Sequence, residues 1–460
     1  MAKTYITTSI AYINAEPHIG FLLELIGADV IARIHRQKGD DVFFLTGTDE
    51  HGLKIQQAAE AAKQAPQEFA DKITAKFVAV AEEFAISNDY FIRTTDPKHV
   101  AFIEGVWGRL LTAGVLEKRS YTGLYCTGCE AFKTEREVKD GQCLIHHRAL
   151  EKVEEENYFL TNIPEQKDKI KAWIETAVYP ESRRHEALNM LAEFEDVSVS
   201  RSKEKLSWGV PVPGDESQTM YVWVDALFNY LSGIELSGRK IDDFWPVDLQ
   251  IIGIDILKFH AIIWPALLLA TNYDLPKKLL VHGFINSDGK KMSKSLGNVI
   301  SPDQLEERYG VDGTRYLLLR QLNFYEDSNF SWEEFDSLYN GELANGIGNL
   351  VARSIGLAKK TGLKLHYAEE NRGIESELDF RADLEEINHF INDGDAEITE
   401  QKLWEETEKK EKVLSSILER LWLVSHRLEP YMPSIAPEIR RQLGELDSKP
   451  LFPRIEKKRA

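Results

Sequence analysis

The first fifty residues constrain the fold more than any other stretch. Residues 4–10 (TYITTSI) carry a β-branched strand pattern, and a loop runs on to Pro17. Ile19, Leu22, Leu23, Ile26, Val30 and Ile34 then recur at helical spacing. A second apolar run, DVFFLTG at 41–47, ends in the polar cluster Thr48-Asp49-Glu50-His51-Gly52. Strand, helix and strand in this order open a parallel α/β sheet, because parallel neighbours need a crossover and a helix makes one compactly. Ligands of such sheets bind beyond the carboxyl ends of the strands, so the polar cluster is where chemistry is expected.

The texture then changes twice. From about 114 to 221 the chain reads as short strands, a cysteine cluster and charged helices, the signature of an insertion. Alternating α/β character returns with MYVWVDALFNYL (220–231) and LQIIGIDILKFHAIIWPALLL (249–269). After about 336 strand signals vanish, and amphipathic runs such as EKVLSSILERLWLVSHRL (411–428) predict a helical bundle. The expected organisation is one half of a Rossmann-type parallel sheet over 1–113, the insertion over 114–221, and the second half over 222–280. A linking region over 281–335 and the bundle over 336–460 follow.

The longest apolar stretches are too short to cross a bilayer, and the start MAKTYITTSI lacks a basic segment followed by an apolar run. A cytoplasmic protein with no membrane partner is expected. Basic residues number 56 and acidic 75, a net charge of −19, which weighs weakly against nucleic acid without forbidding a local basic stripe.

Three motifs carry chemistry. Pro17-His18-Ile19-Gly20 stands at the start of the first helix, where free N–H groups and the helix dipole favour phosphate. Taken alone, His18 reads as a capping histidine. The run Lys291-Met292-Ser293-Lys294-Ser295, between Gly289 and Gly297, is a lysine loop suited to a polyphosphate; in isolation it is a solvated basic turn. Cys126, Cys129 and Cys143, with His146, have the spacing C-x2-C-x13-C-x2-H of a closed tetrahedral Zn2+ site, with His147 as the alternative fourth ligand.

Together these motifs resemble the class I aminoacyl-tRNA synthetases, whose two signatures are HIGH and KMSKS. Within that class the chain is similar to the methionyl-tRNA synthetase family over nearly its whole length. AYINAEPHIG, ADVIARIHR, FLTGTDEHG, YVWVDALFNYLSG, HAIIWPA, HGFINSDGKKMSKSLGNVISP, ELANGIGNLVAR and LFPRIE stand in the family order. The resemblance implies methionine activation by ATP to methionyl-adenylate, then transfer to the 3′ end of tRNA(Met). It also implies Mg2+ with the ATP, one structural Zn2+ per chain in the insertion, and anticodon binding by the helical bundle.

The resemblance assigns residues as well. His18, Lys291, Lys294 and Arg201 would act on the phosphates, with Gly20, Gly253, Asp255 and Ser293 completing the ATP site. Arg201, read without the family, is a surface arginine. Ser9, Ile10, Tyr12, Asp49, Trp223, Ala226, Tyr230, Ile256 and His260 would form the methionine pocket. There Asp49 would hold the ammonium group and the rings would surround the thioether. Read alone, Asp49 is a helix N-cap and the rings are ordinary core. Asn349 and Arg353, four apart on one helix face, and Trp404 would read the anticodon; Trp404 alone reads as helix packing. The chain ends soon after LFPRIEKKRA without the dimerisation module of many relatives, so a monomer is expected.

Two positions depart from the family. Phe21 stands at the second histidine of HIGH, and Ile254 stands where a lysine is usual. Each removes a polar or cationic group from the ATP face, and losing one transition-state donor costs about a hundred- to a thousandfold in rate. The chain is therefore either a variant in which the remaining cations carry the phosphate charge, or a weakened paralogue that binds tRNA as a regulator. A class I ligase for another amino acid is the further alternative; the insertion is too short for the large editing domain of the branched-chain enzymes.

Overall fold

The computed structural model describes residues 2–126, 131–133, 138–145, 147–194, 196–287, 289–292, 297–361, 363, 378–405 and 410–456. Its centre is a parallel sheet in the order Val178–Tyr179, Leu279–His282, Leu249–Gly253, Lys3–Thr8 and Asp41–Asp49. The short strands Ala11–Tyr12 and Tyr90–Arg93 pair with the carboxyl half of Asp41–Asp49, also in parallel.

Both faces of this sheet are covered, which is why its strands read as continuous apolar runs. The two-residue period still sorts side chains between two cores. Ile6 and Phe44 join the core that holds the first helix, Ile19–Gln37. Tyr5, Phe43 and Leu45 point into the other, with Trp107, Tyr230 and Trp264.

The insertion is built on an antiparallel pair, Leu116–Cys126 with Glu151–Leu160, in register from Leu116 opposite Leu160 to Tyr125 opposite Glu151. A smaller antiparallel sheet joins Ser200–Ser202, Asp215–Met220 and Pro211–Val212. The expected boundary at 114–221 needs one correction. Val178–Tyr179, inside that range, forms an edge strand of the parallel sheet beside Leu279–His282. A two-residue strand is too short to leave a periodic signal in sequence.

The helices Gly348–Thr361, Phe380–Glu400, Lys410–Leu428 and Ile435–Glu445 pack on one another through a shared core. Helix Pro302–Gln321 ties them to the sheet domain through Arg315, which is fully buried. Its guanidinium donates to Asp29 Oδ2 at 2.6 Å and to the carbonyls of Phe84, Pro430 and Tyr431 at 2.8–3.0 Å. Burial alone would raise Asp29, but Arg315 and Arg33 hold its carboxyl below the usual range. A buried charge is tolerable only when so fully engaged. The clamp anchors the helical region to the back of the first helix.

Candidate active site

The carboxyl ends of four parallel strands converge on one cleft: Ser9 follows Lys3–Thr8, and Asp49, Gly253 and His282 close the other three. Facing them is the N-terminus of the first helix. His18 is its N-cap, and its Nδ1 accepts the Gly20 N–H at 3.0 Å. A Cβ at position 20 would come within 2.8 Å of the His18 ring, so only glycine permits this cap. The capping reading of His18 and the phosphate reading are compatible. With Nδ1 used as acceptor, Nε2 carries the proton, and the ring lies open to solvent at the cleft mouth. Desolvation beside the helix end lowers its pKa, Asp255 opposes this and His282 adds to it, which favours the neutral ring as a donor.

On the floor of the cleft lies a linkage absent from the sequence expectations. Glu24, in the second turn of the first helix, is buried. Its Oε1 accepts both the Ser9 N–H and the Ser9 hydroxyl at 2.6 Å, and its Oε2 lies 2.9 Å from His282 Nε2. Gly253 sits above: a Cβ there would lie 2.7 Å from Asp255 Oδ1 and 3.4 Å from His282 Nε2. Ser9, Gly20, His18, Gly253 and Asp255 are thus gathered at one end of the sheet. Asp255 is exposed.

The aromatic group forms the adjoining wall. Trp223 stacks on Phe259 with ring centroids 3.8 Å apart and meets His260 edge-on at 6.1 Å. His260 Nδ1–H donates to the Ile256 carbonyl at 3.1 Å, which leaves Nε2 to accept the Tyr230 hydroxyl at 2.8 Å. Burial lowers the His260 pKa to about 4, so the ring is neutral. Tyr5 Oη–H donates to the Tyr230 carbonyl at 2.6 Å and fixes this wall to the first strand. The Ala226 carbonyl accepts from Asn229 Nδ2 at 2.6 Å. Ile10 packs on the same core. Phe259 was not among the expected pocket residues; its place one step before His260 was the available signal.

Asp49 lies buried at the end of its strand, with Tyr12 beside it in register. Asp49 is not the N-cap of the helix that follows: Gly52 occupies that position before Leu53–Ala61, without a side-chain cap. The loop is held instead by its neighbours. Glu50 is fully buried and accepts from Arg93 Nε and Nη2 at 2.7 and 2.9 Å and from Thr48 and Thr74 at 2.7 Å. His51 Nδ1 lies 2.6 Å from Asp225 Oδ2, while His99 Nε2 lies 2.8 Å from Asp225 Oδ1. Burial would raise Asp225, but the two histidines bring its carboxyl down to about 2. Asp225 lies between Trp223 and Ala226 on helix Val222–Leu227, so this chain of hydrogen bonds joins the Asp49 loop to the aromatic wall.

The departures have structural consequences. Phe21 is half-buried and meets Phe77 edge-on at 4.8 Å. Ile254 is 9% exposed and belongs to the apolar core behind the cleft. Both side chains are absorbed by packing.

Arg201 is not the surface arginine expected. It is buried, donating from Nη1 to Ser198 Oγ at 2.9 Å and the Ser200 carbonyl at 2.7 Å, with its guanidinium 4.0 Å from the Tyr221 ring centre. Lys290–Lys291 pairs with Ile285–Ser287 as a short hairpin, and Gly289 and Gly297 both take positive φ. The Lys291 side chain, and Ser293, Lys294 and Ser295 entirely, lie outside the described residues.

So do Cys129 and His146. Cys126 and Cys143 are buried, and His147 is exposed. Asn349 and Arg353 lie on helix Gly348–Thr361, with Asn349 exposed and Arg353 paired to Asp395. Arg353 also approaches Thr399, near the end of the helix that precedes Trp404. Trp404 is 53% exposed, so the packing reading fails for it. No described helix is long and apolar enough to cross a membrane.

Comparison with known proteins bears on this geometry. The family model described as tRNA synthetases class I (M) matches residues 4–148 and 136–355. A Streptomyces coelicolor protein named methionine–tRNA ligase is 38% identical over 483 residues, covering 96% of this chain and 89% of its own length. A Thermotoga maritima methionine–tRNA ligase is 39% identical, covering 96% of this chain and 75% of itself. The solved structure of Mycobacterium tuberculosis methionyl-tRNA synthetase in complex with methionyl-adenylate superposes with a TM-score of 0.88 at 34% identity, covering 99% of this chain and 100% of that one. Motif order, sheet topology and likeness over the full length agree: the chain belongs to the methionyl-tRNA synthetase family of class I tRNA synthetases.

Proposed function

We infer that the chain activates methionine with ATP, forming methionyl-adenylate and pyrophosphate, and transfers the methionyl group to the 3′ end of tRNA(Met). The observation that carries this reading is the single cleft in which a helix N-terminus, an acidic strand end and an aromatic wall meet.

Asp49 holds the methionine ammonium by charge-assisted hydrogen bonding. Trp223, Tyr230, His260 and Ile256 receive the side chain, with Tyr12, Ala226, Ser9 and Ile10 shaping the pocket. Keeping His260 neutral suits an apolar thioether, because no buried charge then has to be desolvated against it. The methionine carboxylate attacks the α-phosphorus of ATP and pyrophosphate leaves. His18 Nε2–H donates to the phosphoryl oxygens as their charge grows. Gly20 and Gly253 leave room for the nucleotide at the helix and strand ends. Lys291, Ser293 and Lys294 are assigned to the leaving phosphates by the motif. Arg201 is assigned there by family position, and its burial against Ser198 and Ser200 favours an orienting role in the small sheet. Positioning and electrostatics carry the rate, with no side chain needed as general base.

Mg2+ would accompany ATP and neutralise phosphate charge. Cys126, Cys129 and Cys143 with His146 would hold a structural Zn2+; the burial of Cys126 and Cys143 suits thiolate donors of a closed site. Asn349, Arg353 and Trp404 would receive anticodon bases, with Trp404 offering an exposed ring for stacking.

The test is methionine-dependent ATP–pyrophosphate exchange on purified protein, with zinc content measured on the same sample. Exchange with methionine, and not with leucine or isoleucine, is expected. Absence of exchange that appears only after Phe21→His with Ile254→Lys would sink this reading of the natural sequence and leave a tRNA-binding regulator.

A further inference from the structure

His282 stands at the carboxyl end of a central strand with both ring nitrogens committed. Nε2 lies 2.9 Å from Glu24 Oε2 and Nδ1 lies 2.9 Å from the Gly283 carbonyl. A carbonyl accepts only, and an ionised carboxylate accepts only, so both contacts are satisfied together when both nitrogens bear protons. The other groups around the ring agree with a cation. Asp255 faces it from the turn after Leu249–Gly253, and the neutral His18 lies at the helix cap. The segment after Pro302–Gln321 presents the Phe324 ring at 5.8 Å and runs its Glu326 backbone past Gly283, while the Glu326 carboxylate accepts from the Ser182 hydroxyl at 3.3 Å. Asp327 in that segment is turned away, accepting from Phe284 N–H and pairing with Arg183.

We propose that His282 is a positioning residue for the nucleotide: a standing imidazolium beneath Gly253 and Asp255 that holds Glu24, which in turn holds Ser9. Burial pulls the His282 pKa down, but the Glu24 hydrogen bond and charge, the Gly283 carbonyl and Asp255 outweigh it and leave the group above the ordinary histidine value. In this chain Phe21 and Ile254 have withdrawn from the nucleotide face into packing. His282 is a cation already fixed in the floor of that face, and a preorganised charge needs no reorganisation when the nucleotide arrives. The same contact orders Glu24, whose Oε1 anchors both polar groups of Ser9 at the lip of the amino-acid pocket. One residue thereby links the two halves of the cleft.

The nucleotide role rests on the reading of this cleft as the site of adenylate formation; the protonation state does not. Two measurements keep the two apart. Nitrogen-15 histidine NMR of the ligand-free protein near pH 7 is expected to show His282 protonated at both nitrogens, assigned by loss of its signals in His282→Gln or by through-bond transfer in the unmutated protein. A neutral ring overturns the proposal whether or not the chain activates methionine.

In the exchange assay, His282→Gln keeps a donor toward Glu24 but no charge. A direct transition-state donor is worth about a hundred- to a thousandfold, so a charge one contact removed predicts about a tenfold loss in kcat/KM for ATP. The KM for methionine should change less. In the unmutated enzyme the rate should decline as pH rises through the raised His282 value, and the variant should lose that decline. Unchanged ATP kinetics with an unchanged pH profile would overturn the proposal, even if thermal stability fell.

Discussion

Around His260 the wall of the cleft is closed on itself, whereas around His18 the opposite lip is open. Tyr230, His260 and the Ile256 carbonyl form one directed chain of hydrogen bonds, and Trp223 lies flat on Phe259. Behind them Asp225 is gripped by two histidines. Across the cleft His18 and Asp255 face solvent. The difference follows from what each side receives. A neutral thioether is recognised by shape and dispersion, which must be prebuilt from packed rings. A polyphosphate is recognised by charge and donors, which work best where solvated phosphates can reach them.

The comparison can be broken most sharply at the lysine loop. If the open side depends on the point charges of the lysine motif, Lys291→Gln or Lys294→Gln should lower methionine-dependent exchange by about a thousandfold. A mild defect in either would mean that the helix N-terminus alone carries the phosphates.

The closed side should fail through stability first. Asp225→Asn leaves two histidines facing an amide in a buried site, and breaking such a network costs about 3 kcal/mol. Denaturant unfolding checks this, and its pH dependence has a definite sign. The folded Asp225 titrates at about 2, below the ordinary carboxylate value of 3.8. Its contribution is therefore full above that ordinary value and fades as pH falls from there toward about 2. The stability gap between the protein and Asp225→Asn should close over that acid window.

A smaller effect separates the two sides kinetically. Trp223→Ala removes the ring stacked on Phe259, and should raise the KM for methionine about tenfold while leaving that for ATP within about twofold. A matching rise for ATP would show that the wall and the lip are not independent. The smallest effect is expected at Phe21. Phe21→His gives up an edge-on aromatic contact worth about 1 kcal/mol, and exchange should change by no more than a few fold. A large gain in rate would show that packing of Phe21 is a real loss to the nucleotide side.

Much of this molecule was legible in its residues. The opening strand, helix and strand appear where periodicity put them, with the first helix at Ile19–Gln37 and the long C-terminal helix at Lys410–Leu428. Ser9, Asp49, Gly253 and Asp255 stand at or just past the strand ends, with His18 and Gly20 at the helix cap, while the lysine-motif side chains lie outside the described residues. What escaped were pairings between distant elements. Glu24 is an acid on the buried face of an apolar helix, and that alone implied a partner, since buried carboxylates are rarely left unpaired. Its partner is His282, 258 residues away, and no local pattern specifies it. Arg201 read without the family misled for a similar reason. An arginine beside serines looks solvated until three strands fold it over Tyr221.

The sequence by itself determined the longer elements, their order along the chain and the candidate chemistry beside them, because backbone periodicity, capping and glycine placement act over a few residues. Only the tertiary structure decided which charges meet: Glu24 with His282, Asp225 with His51 and His99, and Arg315 with Asp29. Those choices depend on burial, and burial exists only once the sheet has brought its strand ends together.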